Sequence, residues 1–184
     1  VIIFTSDHGE ALGDHGLMFK GCRFYEGLVR VPLIFSWPAQ FQQGMVSEGL
    51  VELLDLTSTL MELCGLECPE YMQGKSLLPI LRGESDPKHH REFVRSEYFD
   101  ALDPQFTGGV GTFGTMYRTD RYKLCMYHDK QLGELYDLRS DPWEFEDLWN
   151  DPKHQSVKNR MIRQAFDAHV VLTTDMGSRR IAPM

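Results

Sequence analysis

The chain opens on Val1-Ile2-Ile3-Phe4, an unbroken apolar run, and passes at once into Thr5 to Gly21, which is polar and holds glycines at 9, 13, 16 and 21. An apolar run without alternation predicts a strand covered on both faces, as inside a parallel sheet. The glycine-rich stretch then forms a loop at the carboxyl end of that strand. Val29 to Trp37 predicts a second strand, with Pro32 placing it at an edge or making its start irregular. A buried strand with no initiator Met and no polar lead-in points to a piece of a longer polypeptide, so the targeting of that polypeptide stays unread.

Leu50 to Leu54 predicts a short strand. Asp55, Thr57 or Ser58 can cap a helix with Leu56, Leu60, Leu63 and Cys64 on its buried face, ended by Gly65. Strand, loop, strand, helix is the order of an α/β domain. Gly74-Lys75-Ser76 is not a phosphate loop: the position that needs glycine is Pro69, and no strand precedes it. The polar stretch Glu84 to Glu92 predicts a boundary, giving residues 1–90 as the remainder of an α/β domain and 91–184 as a second subdomain. In the second part, Phe93–Phe99, Thr112–Thr119, Arg121–His128 and Glu134–Leu138 are short, aromatic-rich strands separated by turn signals, a small antiparallel sheet. A helix follows from about His154 to Val171, with Val157, Met161, Ala165 and Phe166 on its buried face, and then a loose tail.

Of the 184 residues, 42% are hydrophobic and 25% charged, enough for a packed core. A net charge of -8 argues against a nucleic-acid partner held by phosphate neutralisation. No apolar run reaches the ~18 residues that a membrane span needs. Cys22, Cys64, Cys68 and Cys125 fit neither zinc spacing nor a disulfide framework and read as incidental thiols.

Asp7-His8-Gly9 falls where ligands bind in open α/β sheets, just beyond the end of a strand. A carboxylate oxygen and an imidazole nitrogen are ordinary ligands of a divalent metal, and Gly9 gives the backbone room for the turn that brings both to one cation. Two ligands do not complete a shell, so others must come from elsewhere. Lys20, in the same loop, supplies a compact positive charge suited to a tetrahedral oxyanion. A turn with a solvated lysine nearby is the plainer reading of the same residues.

The order Ser6-Asp7-His8-Gly9, Lys20-Gly21, Tyr25-Glu26-Gly27, Arg30-Val31-Pro32 resembles the metal- and lysine-bearing stretch of the type I, formylglycine-dependent sulfatases of the alkaline phosphatase superfamily. Similarity continues through Leu53 to Leu66, Gly74 to Leu81, Tyr117 to Leu124 and Glu134 to Leu148. The fold implied is α/β: the C-terminal part of a sulfatase-like α/β domain, then a small antiparallel sheet with a C-terminal helix. By that resemblance Asp7 and His8 are metal ligands and Lys20 is a catalytic residue that contacts the sulfate. His15 becomes a candidate substrate contact, while Glu26 and Arg30 brace the loop. Tyr117, Arg118 and His128 are candidates to line a leaving-group pocket, with structural roles the plainer reading.

The resemblance further implies a divalent metal, calcium first, with manganese or zinc open because His8 contributes nitrogen. It also implies a formylglycine made from a Cys/Ser-x-Pro-x-Arg motif. That motif does not occur here, so the nucleophile is expected upstream in the rest of the same polypeptide. The expected function is hydrolysis of sulfate esters by the whole protein, these residues alone being inactive. A phosphonate monoester or phosphodiester hydrolase of the same superfamily fits the same residues, and a non-catalytic module is the alternative of another class. Oligomeric state and compartment are not legible.

Overall fold

The computed structural model describes residues 1–101 and 111–174. They form two compact units, one built from Val1–Ser36 with the described residues of Glu92–Ile162, the other from Trp37–Arg91 with the stretch from Arg163. No helix among the described residues is long and apolar enough to cross a membrane.

In the first unit, β1 (Ile2–Thr5) pairs with β2 (Leu33–Ser36), Ile2 opposite Ser36 and Thr5 opposite Leu33. The pairing is antiparallel, and Ile2, Phe4 and Ile34 are exposed at 72%, 60% and 57%. The expectation of a parallel strand buried on both faces is therefore corrected. The chain returns from the loop to β2 through the four-residue helix α1 (Glu26–Val29). Ile3, Thr5, Leu33 and Phe35 lie on the other, half-buried face.

Four further strands form an antiparallel meander: β3 (Phe93–Ala101), β4 (Thr112–Thr119), β5 (Tyr122–Tyr127) and β6 (Leu132–Asp137), in that spatial order. All four predicted strands are present. After β6 the chain doubles back: Leu148 N–H donates to the Leu135 carbonyl at 2.8 Å and Leu135 N–H to Asp147 Oδ1 at 3.0 Å. The Trp149 indole fills the space above Gly133 where a side chain would stand. Asp151 caps a short 3-10 turn, Pro152–His154, that leads into α4 (Gln155–Thr174). Met161, Ala165 and Ala168 are its buried residues, at i, i+4 and i+7. Phe166, expected beside them, is 66% exposed because the helical step carries it off that stripe. The expected tail beyond Thr174 lies outside the described residues.

In the second unit, α2 (Leu54–Leu63) has the reverse polarity from that expected. Its buried residues are Asp55, Ser58 and Thr59, while Leu54 and Leu60 are 54% and 41% exposed. No strand forms over Leu50–Leu54. Asp55, with no exposed surface, is the reason. Its Oδ1 accepts from Lys75 N–H at 2.7 Å and from Arg91, and its Oδ2 accepts from Glu52 N–H at 3.0 Å and Arg91 Nε at 3.0 Å. The His90 Nε2 lies 3.3 Å from the same Oδ2. Thr59 Oγ1 accepts from Leu77 N–H at 2.9 Å, and Gly74 lies against Leu54 and Ser58 where no Cβ fits. The Gly74-Lys75-Ser76 stretch is thus a strap over the polar face of α2, leading into α3 (Leu78–Leu81). Gly65, at φ 69°, ends α2 as predicted: its N–H donates to Glu62, and that of Leu66 to Met61.

Burial alone would raise the Asp55 pKa. The donors from His90, Arg91, Lys75 and Glu52 outweigh it and hold the carboxyl far below the usual range. A depressed folded-state pKa contributes stability that is present in full above the unfolded value, about 3.9, and lost as pH falls below it. Asp55→Asn is expected to lower stability by about 3 kcal/mol at neutral pH, the usual cost of unpairing a buried ion pair. Urea unfolding at pH 7 and pH 3 checks this: the gap between wild type and variant shrinks at the lower pH.

Candidate metal and oxyanion site

The loop after β1 is held from below by its backbone. Gly9 N–H donates to the Leu28 carbonyl at 2.8 Å, and a Cβ on Gly9 would overlap the Gly27 carbonyl oxygen. Only glycine permits that approach. Gly27 and Leu28 belong to α1, so this contact fixes the turn that presents Asp7 and His8.

Within the turn, Ser6 Oγ donates to the His8 carbonyl at 2.7 Å and His8 N–H to Asp7 Oδ1 at 3.0 Å. His8 Nδ1 lies 2.7 Å from the Gly9 carbonyl. A carbonyl only accepts, so Nδ1 carries a proton, and a neutral ring would keep its lone pair on Nε2. Nε2 is 3.5 Å from Asp7 Oδ2. The carboxylate is 83% exposed and the imidazole 40%, so both face solvent at the loop surface. The Asp7 pKa is lowered, first by the His8 backbone N–H, then by the His8 ring, with a smaller contribution from the Lys20 charge. Sequence thus places Asp7, His8 and Lys20 in one neighbourhood, and the fold brings the first two into contact.

The donor set fits a divalent cation. It offers one ionised carboxylate and one imidazole nitrogen whose tautomer is fixed by a backbone carbonyl, as is common in metal-ligating histidines. Among the described residues no group of three or more His, Cys, Asp and Glu side chains gathers to hold a metal, so these two would supply only part of a shell.

His15 lies elsewhere. It adopts φ 53° in a 3-10 turn, Asp14–Gly16, and its ring stacks on Tyr25 at 3.8 Å, with Phe145 at 5.2 Å. It lines a small cleft with Glu10, Asp14, Tyr25 and Trp143, on the side of the loop that faces the segment after β6.

Downstream of Lys20 the chain is anchored to the sheet. Phe24, 1% exposed, packs with Met116, Cys125 and Tyr127, and Gly114 leaves room for its ring. Arg23 Nη1 reaches Glu134 at 3.1 Å. Glu26 meets Lys123 Nζ at 2.8 Å and Arg118 Nε at 3.2 Å, and Glu144 takes the same Lys123 at 2.6 Å. Glu144 Oε2 also accepts from Glu26 N–H at 2.6 Å. Lys123 and Glu144 were not legible as site residues. Their only signal was a lysine in the apolar strand Tyr122–Tyr127.

The profile of the N-sulphoglucosamine sulphohydrolase C-terminal family matches residues 13–170. The chain belongs to that family. It is 35% identical over 159 residues to the Delta 4,5-hexuronate-2-O-sulfatase of Bacteroides thetaiotaomicron, covering 85% of this chain and 32% of that protein. Among solved structures it is similar to a 2-O GAG sulfatase, at a TM-score of 0.82 and 31% identity over 99% of this chain and 38% of the other. A phosphonate monoester hydrolase from Silicibacter pomeroyi follows, at a TM-score of 0.79 and 30% identity, covering 95% and 35%. This member of the sulfatase C-terminal family thus spans about a third of the length of such relatives.

Gly9→Ala is expected to lower stability by about 1–3 kcal/mol, the usual cost of overpacking, because the Gly27 backbone must move. A shift in thermal midpoint with faster amide exchange at residues 7–9 is the outcome to measure. Wild-type protection there would show that the close approach is dispensable.

Proposed function

We propose that this chain is the part of a sulfatase that contributes two metal ligands and a sulfate-contacting lysine to an active site completed by the rest of the polypeptide. One observation carries the reading: at the end of β1 the Asp7 carboxylate meets a His8 ring whose Nε2 lone pair is left available. Asp7 and His8 would hold a divalent cation, calcium first, with manganese or zinc compatible with the nitrogen ligand. Such a cation, when bound, supplies Lewis-acid polarisation of the ester's oxygens. Lys20 places an ammonium charge where negative charge grows as the S–O bond to the leaving alcohol lengthens. His15 would meet substrate only from the cleft it shares with Tyr25, apart from Asp7 and His8. The nucleophile, a formylglycine in this reading, belongs upstream, and so does the acid that protonates the leaving alcohol. Residues 1–184 alone are expected to be inactive and to bind metal weakly, since half of the ligand shell is absent from them.

A second reading is supported by the likeness to a phosphonate monoester hydrolase. Sulfate and phosphonate esters present similar tetrahedral oxyanions, and Asp7, His8 and Lys20 would serve either.

Parallel kinetics of the intact polypeptide on an aryl sulfate and an aryl phosphonate monoester separate the two. The sulfatase reading expects the higher kcat/KM on the sulfate. Lys20→Ala is expected to lower kcat about 10²–10³-fold, the magnitude of losing one charge-stabilising donor. Undiminished turnover by that variant would remove Lys20 from the chemistry.

A further inference from the structure

The face of β4 and β5 that covers the loop carries two kinds of residue in register. Gly114 stands opposite Tyr127, Met116 opposite Cys125 and Arg118 opposite Lys123. Period two puts all six on one face. The first two pairs are small or apolar and receive Phe24. The third is a pair of like charges directly opposed, which is unfavourable by itself. Lys123 has no exposed surface, so its charge must be met by protein. Glu26, two residues after Phe24, meets both cations, and Glu144 meets Lys123 again. Glu144 holds φ 60°, a conformation rarely adopted by a residue with a side chain. The same Glu144 also accepts the Glu26 N–H at 2.6 Å. If Glu26 left the sheet, Arg118 would lose its carboxylate, Lys123 would keep only one of its two, and Glu144 would lose the Glu26 N–H. Glu26 precedes Gly27, whose carbonyl packs against Gly9, and Gly9 follows His8.

We propose that Lys123, with Glu144, is a positioning residue for the metal loop: it anchors Glu26, and through the Gly27–Gly9 contact it sets where Asp7 and His8 stand. The inference rests on the metal reading of Asp7 and His8. It adds that an ion pair on the antiparallel sheet governs the affinity of a site it does not touch. Lys123 is thereby a lever on the site rather than a ligand of it.

The test uses the intact polypeptide that carries these residues, as wild type, Lys123→Met, Lys123→Arg and Glu26→Gln. Two readouts are taken well below the thermal midpoint of each variant: the Kd for Mn²⁺ alone, and hydrogen exchange at the Gly9 amide. Lys123→Met and Glu26→Gln are expected to raise the Kd at least about tenfold, the range seen when an outer-shell partner is lost. Both should also speed exchange at Gly9 while the β4–β5 amides stay protected. Lys123→Arg, which keeps the charge, is expected to recover part of the affinity. Should Lys123→Met fail to fold, Glu26→Gln carries the same test. If either variant merely melts earlier, with wild-type Mn²⁺ affinity and Gly9 exchange, the coupling is wrong and the ion pair is a structural staple. If wild type binds no Mn²⁺ and Asp7→Ala changes nothing, the metal reading fails, and Gly9 exchange still decides the positioning claim.

Discussion

Two cations face each other across β4 and β5, and the first unit is organised around the need to neutralise them. Arg118 and Lys123 are opposed in register, one mostly buried and the other wholly so. Left alone, such a pair would cost several kcal/mol. Glu26 and Glu144 balance it, one at the start of α1 and the other from the segment after β6. Sequence-distant stretches are thus compelled to meet at one point. The candidate site inherits its geometry from that meeting, because Gly27, next to Glu26, is the surface against which Gly9 turns.

The second unit follows the same logic with the sign reversed. There an anion, Asp55, is buried, and the chain gathers donors around it from Glu52, Lys75, His90 and Arg91. Thr59 extends the arrangement by accepting from Leu77. In both units a buried charge supplies specificity of position that apolar packing does not, because hydrogen bonds and ion pairs are directional whereas hydrophobic contacts are not.

The antiparallel sheet was legible because each strand is short, aromatic-rich and bounded by turn residues. Register follows from the same pattern: a slip by one residue would turn Lys123, Cys125 and Tyr127 to the other face. Gly65 was legible as a helix end for a local reason as well, since the left-handed cap excludes most side chains. Asp7, His8 and Lys20 could be singled out because metal and oxyanion chemistry admits few residue types, and their order matched a known family. The polarity of α2 was misread. A helical wheel counts leucines as buried by default, and it contains no information on whether four donors will converge on Asp55. Phe166 was misread for a related reason: an aromatic ring at the edge of a stripe is assigned inward unless the neighbours are known.

The sequence by itself determined the family, the four strands of the sheet, the cap at Gly65 and the residue types of the candidate site. Those depend on local conformational preference and on chemistry that a single residue carries with it. Tertiary structure alone decided that β1 pairs antiparallel with β2, that α2 buries its polar face, and that Lys123 and Glu144 stand behind the loop of Asp7 and His8. These are long-range outcomes, set by which charges must be neutralised out of water, and a charge more than a hundred residues away leaves no mark on the local pattern of the loop it anchors.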